Sequence, residues 1–178
     1  MISRNDILRA FPPESMPSTI PLVVSTLKTG IDEETMDAAD FFRGRRWDEL
    51  TAKDFAPDAP FLGFLTDAWR WYYIPALICC SLEELQTFGY LPVTDLAVNY
   101  IIGVWGSYTY PECDAMENMR QLFSKEQAII VQEWVSMLIL SPNELSLTDA
   151  DRLLIFLEKY TGIMSPICIN DLSDWISV

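Results

Sequence analysis

The stretch Thr66-Asp67-Ala68-Trp69-Arg70-Trp71-Tyr72-Tyr73-Ile74-Pro75-Ala76-Leu77-Ile78 is the most apolar part of the chain and decides its fold. Thr66 is a residue type that caps helix N-termini, so it predicts a helix that begins at Asp67. The density of apolar and aromatic side chains that follows indicates the central element of a hydrophobic core. Pro75 has no N–H for a helical hydrogen bond, so we expect it to kink this helix or split it in two.

A second helix is predicted from Asp32 to Phe42, before the central segment. Acidic residues lead it, as a helix N-terminus favours, and Arg43-Gly44-Arg45-Arg46 follows it, as a helix C-terminus favours. Met36 and Ala39, with Phe42 or Phe41, form its predicted apolar stripe. Opposite charges at its two ends give this helix a marked dipole.

Further helices are predicted on both sides of these two. Ser124 followed by Gln127 fits the capping box, and Thr148 with Asp151 resembles a second cap. The other predicted features are a helix from Asn5 to Phe11, a turn or strand between Trp47 and Phe55, an acidic turn at Glu83-Glu84, a helix from Val93 or Thr94 to Trp105, and a helix end at Gly162. The sequence therefore predicts a mainly α, compact single-domain helical bundle over residues 1–178, with a Pro-kinked central helix.

The charge balance is strongly acidic. Twelve Lys and Arg stand against 26 Asp and Glu, for a net charge of -14, while half of the residues are hydrophobic. Such a field repels phosphate backbones and anionic lipid and attracts basic surfaces. We therefore expect no direct nucleic-acid partner. No apolar stretch approaches the length of a membrane span, and the N-terminus lacks the apolar core of a signal peptide, so we expect a cytoplasmic protein without a membrane partner.

Catalytic chemistry has few candidate groups in this sequence. The chain contains no histidine, which removes the usual general base near neutral pH and the commonest metal ligand. The four cysteines (Cys79, Cys80, Cys113 and Cys168) lack the paired spacing of a zinc site, and we expect them to be reduced and structural. The sequence predicts no enzyme activity, no metal site and no cofactor.

The sequence offers a better candidate for a partner-binding site than for a catalytic site. This candidate is a group of carboxylates. Five of them lie in or beside the second helix, and three more follow later in the chain: Asp32, Glu33, Glu34, Asp37 and Asp40, with Glu112, Asp114 and Glu117. Carboxylates grouped in this way steer a basic partner and raise its association rate, an effect that weakens with salt. The alternative interpretation is a solvated helix face, with acidity that only keeps the protein soluble.

Three stretches resemble a family of small bacterial domains of unknown function that carry F-x-G-x-x-W and F-L-T-x-x-A-x-x-Y-Y-L-P-A motifs. They are Phe42 to Leu50, Phe64 to Ala76, and Phe123 to Val135. The motif residues are mostly aromatics, Gly and Pro, so the resemblance implies conserved packing and a kinked helix rather than a reactive site. Small acidic bacterial proteins without catalytic groups are often immunity proteins, which cover the active site of a basic toxin. By that analogy, we expect an immunity protein with a basic toxin domain as its partner.

Two other functions stay open. A regulatory or adaptor module would bind a partner helix or peptide in an apolar groove near Pro75, through burial rather than charge. An enzyme that uses carboxylates and magnesium would rely on pairs such as Asp149 with Asp151, or Glu33 with Asp37. Both pairs lie at predicted helix starts, where capping and the helix dipole also explain them.

Overall fold

The protein is mainly helical in a computed structural model, which describes residues 2–23, 33–55, 60–84, 92–105, 123–140 and 147–164. Within these ranges it has six α-helices: α1 (Arg4–Ala10), α2 (Glu33–Phe42), α3 (Asp67–Glu84), α4 (Pro92–Trp105), α5 (Lys125–Ile139) and α6 (Leu147–Thr161). The described ranges contain no β-strand, and a single antiparallel bridge joins Val23 to Leu65. The predicted fold class is confirmed.

The central helix is α3. Twelve of its residues are buried, among them every residue from Trp71 to Ser81. It packs against α4 and α1, while α5 packs against α6. One hydrophobic cluster joins side chains from all six helices, with Trp47 and Trp134 among the largest that are fully buried. Pro75 lies inside α3 and the helix continues through it, so the predicted split does not occur.

A buried polar junction ties α3, α4 and α5 together. The Thr94 hydroxyl donates to the Ser81 hydroxyl at 2.9 Å, and the Trp134 indole N–H donates to the same oxygen at 3.0 Å. The Glu84 carboxylate accepts from the backbone amides of Val93 and Thr94 at 3.1 and 2.9 Å. Glu84 therefore belongs to α3 and caps the next helix, instead of forming the acidic turn predicted at this point.

Helix ends agree with the sequence at some positions and differ at others. The capping box of Ser124 and Gln127 is confirmed, and Gly44 and Gly162 have φ of 74° and 73° after α2 and α6. Thr66 precedes α3 as predicted, but its hydroxyl donates to the Pro21 carbonyl at 2.8 Å. Helix α6 begins at Leu147, so Thr148 lies inside its first turn and not at the cap.

The segment between α2 and α3 contains short 3₁₀ turns where a turn or strand was predicted. They span Trp47–Glu49, Ala52–Phe55 and Pro60–Phe64. The Trp47 indole N–H donates to the Phe11 carbonyl at 3.1 Å, which joins this segment to the end of α1. These turns place the C-terminal end of α2 beside α3.

Candidate functional site

Helix α2 carries four of the eight predicted partner-binding residues, and its inner face fixes it to the core. Thr35, Ala38 and Phe42 are buried, whereas Met36 is 55% exposed. Of the predicted apolar stripe of Met36, Ala39 and Phe42 or Phe41, only Phe42 is buried, and Met36 is wrongly assigned. The buried stripe has helical i, i+3, i+7 spacing, which turns Met36 toward solvent.

Two features of the core anchor the C-terminal end of α2. The Phe42 ring lies 4.5 Å from the Tyr73 ring, measured between centroids. The Tyr73 hydroxyl donates to the carbonyls of Phe42 and Arg45 at 3.1 and 2.8 Å. The Phe42 carbonyl also accepts the Arg45 amide at 3.1 Å, so the hydroxyl is a second partner for the end of α2 and a bond to the Arg45 carbonyl just beyond it.

The outer face of α2 is acidic, with one exposed apolar residue at its edge. Glu33, Glu34, Asp37 and Asp40 are exposed, and Met36 is exposed at one edge of this acidic surface, three residues from Glu33 and four from Asp40. We call these five residues the α2 acidic face. Glu33 and Asp37 are an i, i+4 pair of like charge, which destabilises a helix by roughly 0.2–0.5 kcal/mol.

The described arginines are all paired with carboxylates. Each of the six arginines whose side chains are described has a carboxylate within 4.0 Å: Arg4, Arg9, Arg43, Arg45, Arg46 and Arg70. Only Arg43 among them reaches the α2 acidic face, through Asp40 at 2.9 Å. Within the described ranges, Glu33, Glu34 and Asp37 have no ion-pair partner. Their negative charge is therefore available to a binding partner.

Arg45 and Arg46, which follow α2, form ion pairs within the surrounding fold. Arg46 donates two hydrogen bonds to Asp48, at 2.7 and 2.9 Å, and these bonds hold the pKa of that carboxyl below its usual value. Arg45 pairs with Asp54 at 2.8 Å and lies over the Phe41 ring at 4.5 Å. These arginines are thus engaged by their own neighbours.

The other predicted partner-binding residues cannot be placed. Asp32, Glu112, Asp114 and Glu117 lie outside the described residues, so whether they extend the α2 acidic face stays a prediction. What the sequence missed within that face is Met36, which the pattern assigned to the core. Its exposure could have been inferred only by knowing that Thr35 and Ala38 lie against the domain.

A second candidate site is a small pocket at the position of Pro75. The pocket has a volume of about 150 Å³ and lies where α1, α3 and the start of α5 meet. Its lining is mostly aromatic and proline side chains: Phe11, Pro12, Ser15, Pro17, Trp47, Ala68, Trp71, Tyr72, Pro75, Phe123 and Gln127. We call it the Pro75 pocket. It lies beside Pro75 of α3, where the sequence predicted an apolar groove.

Reactive groups are few among the described residues. Burial raises the pKa of Cys79 to about 11 and that of Cys80 to about 12, so both thiols are protonated and free near neutral pH. Cys113 and Cys168 lie outside the described residues. Burial also raises the pKa of Asp151 in α6. Across the described ranges, no three Cys, Asp or Glu side chains gather as metal ligands would.

Comparison with protein families, curated proteins and solved structures finds no match to this chain. Among the helices described, none combines the length and the apolar character that a membrane crossing requires.

Proposed function

We propose that this chain is a protein-binding module that neutralises a basic partner by direct contact, as immunity proteins do with bacterial toxins. The observation that carries the proposal is the α2 acidic face, where Glu33, Glu34 and Asp37 have no ion-pair partner among the described residues and Met36 is exposed at the edge of the face. Most other charges on the described surface are balanced locally. The face is therefore the place where the excess negative charge can act on another molecule.

Electrostatics would set the speed and the selectivity of such binding. A net charge of -14 attracts a basic protein over several ångströms, and the unpaired carboxylates of α2 would orient it at close range. The same field repels nucleic acid. The proposed partner is therefore a basic protein, and not any nucleic acid that such a protein binds. Screening shortens the reach of the field from about 10 Å at 0.1 M salt to about 3 Å at 1 M.

Met36 would supply an apolar group to the contact. Protein interfaces have a dehydrated core with a polar rim, and methionine is enriched in that core. A partner that covers Met36 would bury its side chain and bring basic groups to Glu33, Asp37 and Asp40.

The resemblance to small bacterial domains remains a proposal, and the roles of its motif residues support it. Phe42 and Trp47 are buried, and between them Gly44 has φ of 74°, a conformation that glycine adopts without strain. Phe42, Gly44 and Trp47 are the fixed positions of the F-x-G-x-x-W motif. A motif of this kind would preserve the turn that attaches α2 to the core.

The proposal can be tested by affinity capture from the cells that make the protein, at about 0.1 M and about 1 M salt, with mass spectrometry of the bound proteins. We expect a basic protein that is retained at low salt and lost or much reduced at high salt. Retention that does not change with salt would argue against charge-driven neutralisation.

The Pro75 pocket favours a second candidate function, an adaptor that binds a peptide by apolar burial. Its walls are aromatic and proline side chains, a surface type that several peptide-binding domains use. Binding through apolar burial is less sensitive to salt than binding through the α2 acidic face. The same capture experiment therefore separates the two functions.

A further inference from the structure

We propose that residues 14–21 form a strap that opens outward as one unit while the rest of the protein stays folded. The name strap is kept for these eight residues, which run from Glu14 to Pro21 between α1 and α2. Opening of the strap uncovers the indole of Trp69 in α3 and removes one wall of the Pro75 pocket. This movement is independent of any binding at the α2 acidic face.

Both ends of the strap are attached to the body of the protein. Before the strap, Pro13 is buried, and its carbonyl accepts the Tyr72 hydroxyl at 2.7 Å. After the strap, the Leu22 carbonyl accepts the Thr66 amide at 3.0 Å, next to the backbone bridge that Val23 forms. Because these attachments lie outside residues 14–21, the strap can move outward without breaking them.

Few contacts hold the strap itself against the body. Six of its eight residues are exposed, and the other two are half-buried. Among the described residues, two hydrogen bonds join it to the start of α3. The Trp69 indole N–H donates to the Ile20 carbonyl at 2.9 Å, and the Thr66 hydroxyl donates to the Pro21 carbonyl at 2.8 Å. A segment that buries so little apolar surface opens at a lower free energy than the core does.

The strap has hydrogen bonds of its own, which its opening does not break. The Ile20 amide donates to the Pro17 carbonyl at 3.0 Å, and the Ser18 amide donates to the Met16 carbonyl at 2.8 Å. The proline rings at positions 17 and 21 restrict the backbone further, because each fixes its own φ. The segment therefore moves as one unit, and it loses little backbone entropy when it closes again.

The surface beneath the strap is supported by other contacts. Trp69 is only 7% exposed, and its ring packs against Tyr72 and Tyr73, with centroid distances of 5.7 and 6.1 Å. Both tyrosines are buried within α3. The open strap therefore leaves the Trp69 ring in place, with an indole N–H that has lost its acceptor to solvent exchange.

The strap also forms part of the Pro75 pocket. Ser15 and Pro17 line the pocket from the strap, whereas Tyr72 lines it from α3. Outward movement of the strap withdraws the first two residues and leaves Tyr72 in place. The pocket of about 150 Å³ thereby becomes a wider groove, which reaches Trp69 through its ring contact with Tyr72.

The test is hydrogen exchange of the indole N–H groups in the full chain labelled with ¹⁵N-tryptophan, measured by NMR at increasing urea. Trp69 reports the strap, because its N–H is bonded to a strap carbonyl. Trp134 reports global unfolding, because it is fully buried and its N–H is bonded to the Ser81 hydroxyl at 3.0 Å. Trp47 reports the attached end, because its N–H is bonded to a carbonyl ahead of the strap. Single Trp→Phe variants assign the resonances.

In the absence of urea, the Trp69 N–H should exchange at least about 100-fold faster than those of Trp47 and Trp134, because a local opening costs less free energy than global unfolding. Addition of urea to about 1 M should change the Trp69 rate by less than about twofold, since opening of the strap exposes little surface. The Trp134 rate should rise roughly tenfold or more, as the surface exposed by global unfolding requires.

Thr66→Val removes a hydroxyl that bonds the strap and keeps a side chain of similar shape. It should speed Trp69 exchange by about two- to tenfold, the net effect of one hydrogen bond. Global unfolding breaks the same bond, so Trp134 exchange should rise by a similar factor. Thr161→Val is the matched control, since its hydroxyl donates to the Gln132 side chain at 2.6 Å, where α5 and α6 meet. This control should speed Trp134 exchange and leave Trp69 exchange unchanged.

Three results would overturn the proposal. Exchange of the Trp69 N–H at the rate of Trp134, with the same dependence on urea, would show that the strap opens only when the whole fold does. Equally fast exchange at Trp47 would show that the opening segment includes the end described as attached. Faster Trp69 exchange in Thr161→Val than in the parent would assign that exchange to global unfolding.

Discussion

Replacing Tyr73 by phenylalanine should loosen α2 from the rest of the protein. The ring of Tyr73 is fully buried, and its hydroxyl bridges the carbonyls of Phe42 and Arg45 at the end of the helix. The substitution keeps the ring and its contact with Phe42, so it removes only the hydroxyl. The variant therefore isolates the hydrogen bonds that hold the acidic helix.

The expected cost follows from what each carbonyl loses. The Phe42 carbonyl also accepts the Arg45 amide at 3.1 Å, so it keeps one partner. The Arg45 carbonyl loses its bond of 2.8 Å at a partly buried position. A buried acceptor without a partner costs about 1–3 kcal/mol, and partial access to water places this one at about 1–2 kcal/mol. For a chain of this length, the melting temperature should fall by roughly 2–8 °C.

Urea unfolding monitored by circular dichroism would measure the loss, and hydrogen exchange would locate it. We expect a large increase in the exchange rate of the α2 amides. The exchange rate of the α5 amides should increase only as much as the loss of global stability requires. Tyr160→Phe is the matched control, because its half-buried hydroxyl bonds one carbonyl, that of Phe123, at 2.9 Å. A Tyr73→Phe variant within about 0.5 kcal/mol of the parent, with unchanged α2 exchange, would refute the anchor.

Four further predictions concern the fold and its buried groups. Gly44→Ala and Gly162→Ala should each cost about 1–2 kcal/mol in urea unfolding, because φ is positive at both positions while a new methyl group meets no neighbouring atom; equal stability would contradict the assigned backbone. Native protein at pH 8 should resist iodoacetamide at Cys79 and Cys80 until urea is added, as mass spectrometry of their shared peptide would report, and early labelling would refute their burial. Burial raises the pKa of Cys79 to about 11 and that of Cys80 to about 12, from an ordinary value of 9.0. Their contribution to the free energy of unfolding should therefore be fully present below pH 9.0 and should be lost as the pH rises through the raised values. Urea unfolding curves at high pH would measure this loss. Thr94→Val should cost about 1–3 kcal/mol because it leaves Ser81 and Glu84 without its hydroxyl, whereas a neutral effect would show that water replaces it.

The sequence predicted correctly those helices whose positions are determined by residues close together in the chain. The helix at Ser124 begins where its capping box indicates, and α2 ends before a glycine with positive φ. The apolar segment around Pro75 is the central helix, because so many adjacent aromatic side chains can be buried only at the middle of a domain. In each case the residues that decide the structure are neighbours in the chain.

Other features depend on residues that are distant in sequence. The Thr66 hydroxyl bonds the carbonyl of Pro21, and Glu84 caps a helix that begins eight positions later. Met36 is the most apolar residue in the first half of α2, and only the packing of Thr35 and Ala38 against the core decides that it faces solvent. The Pro75 pocket likewise forms from segments that no pattern in the chain connects.

The most direct test of the central claim is to repeat the capture with the α2 acidic face neutralised. The test variant combines Glu33→Gln, Glu34→Gln and Asp37→Asn. The control combines Asp67→Asn, Glu83→Gln and Glu133→Gln, which changes the net charge equally at exposed positions on α3 and α5. We predict that the test variant loses the basic partner at low salt, by tenfold or more in recovered amount, while the control retains it. Equal loss in both variants, or retention in both, would contradict a binding site on α2.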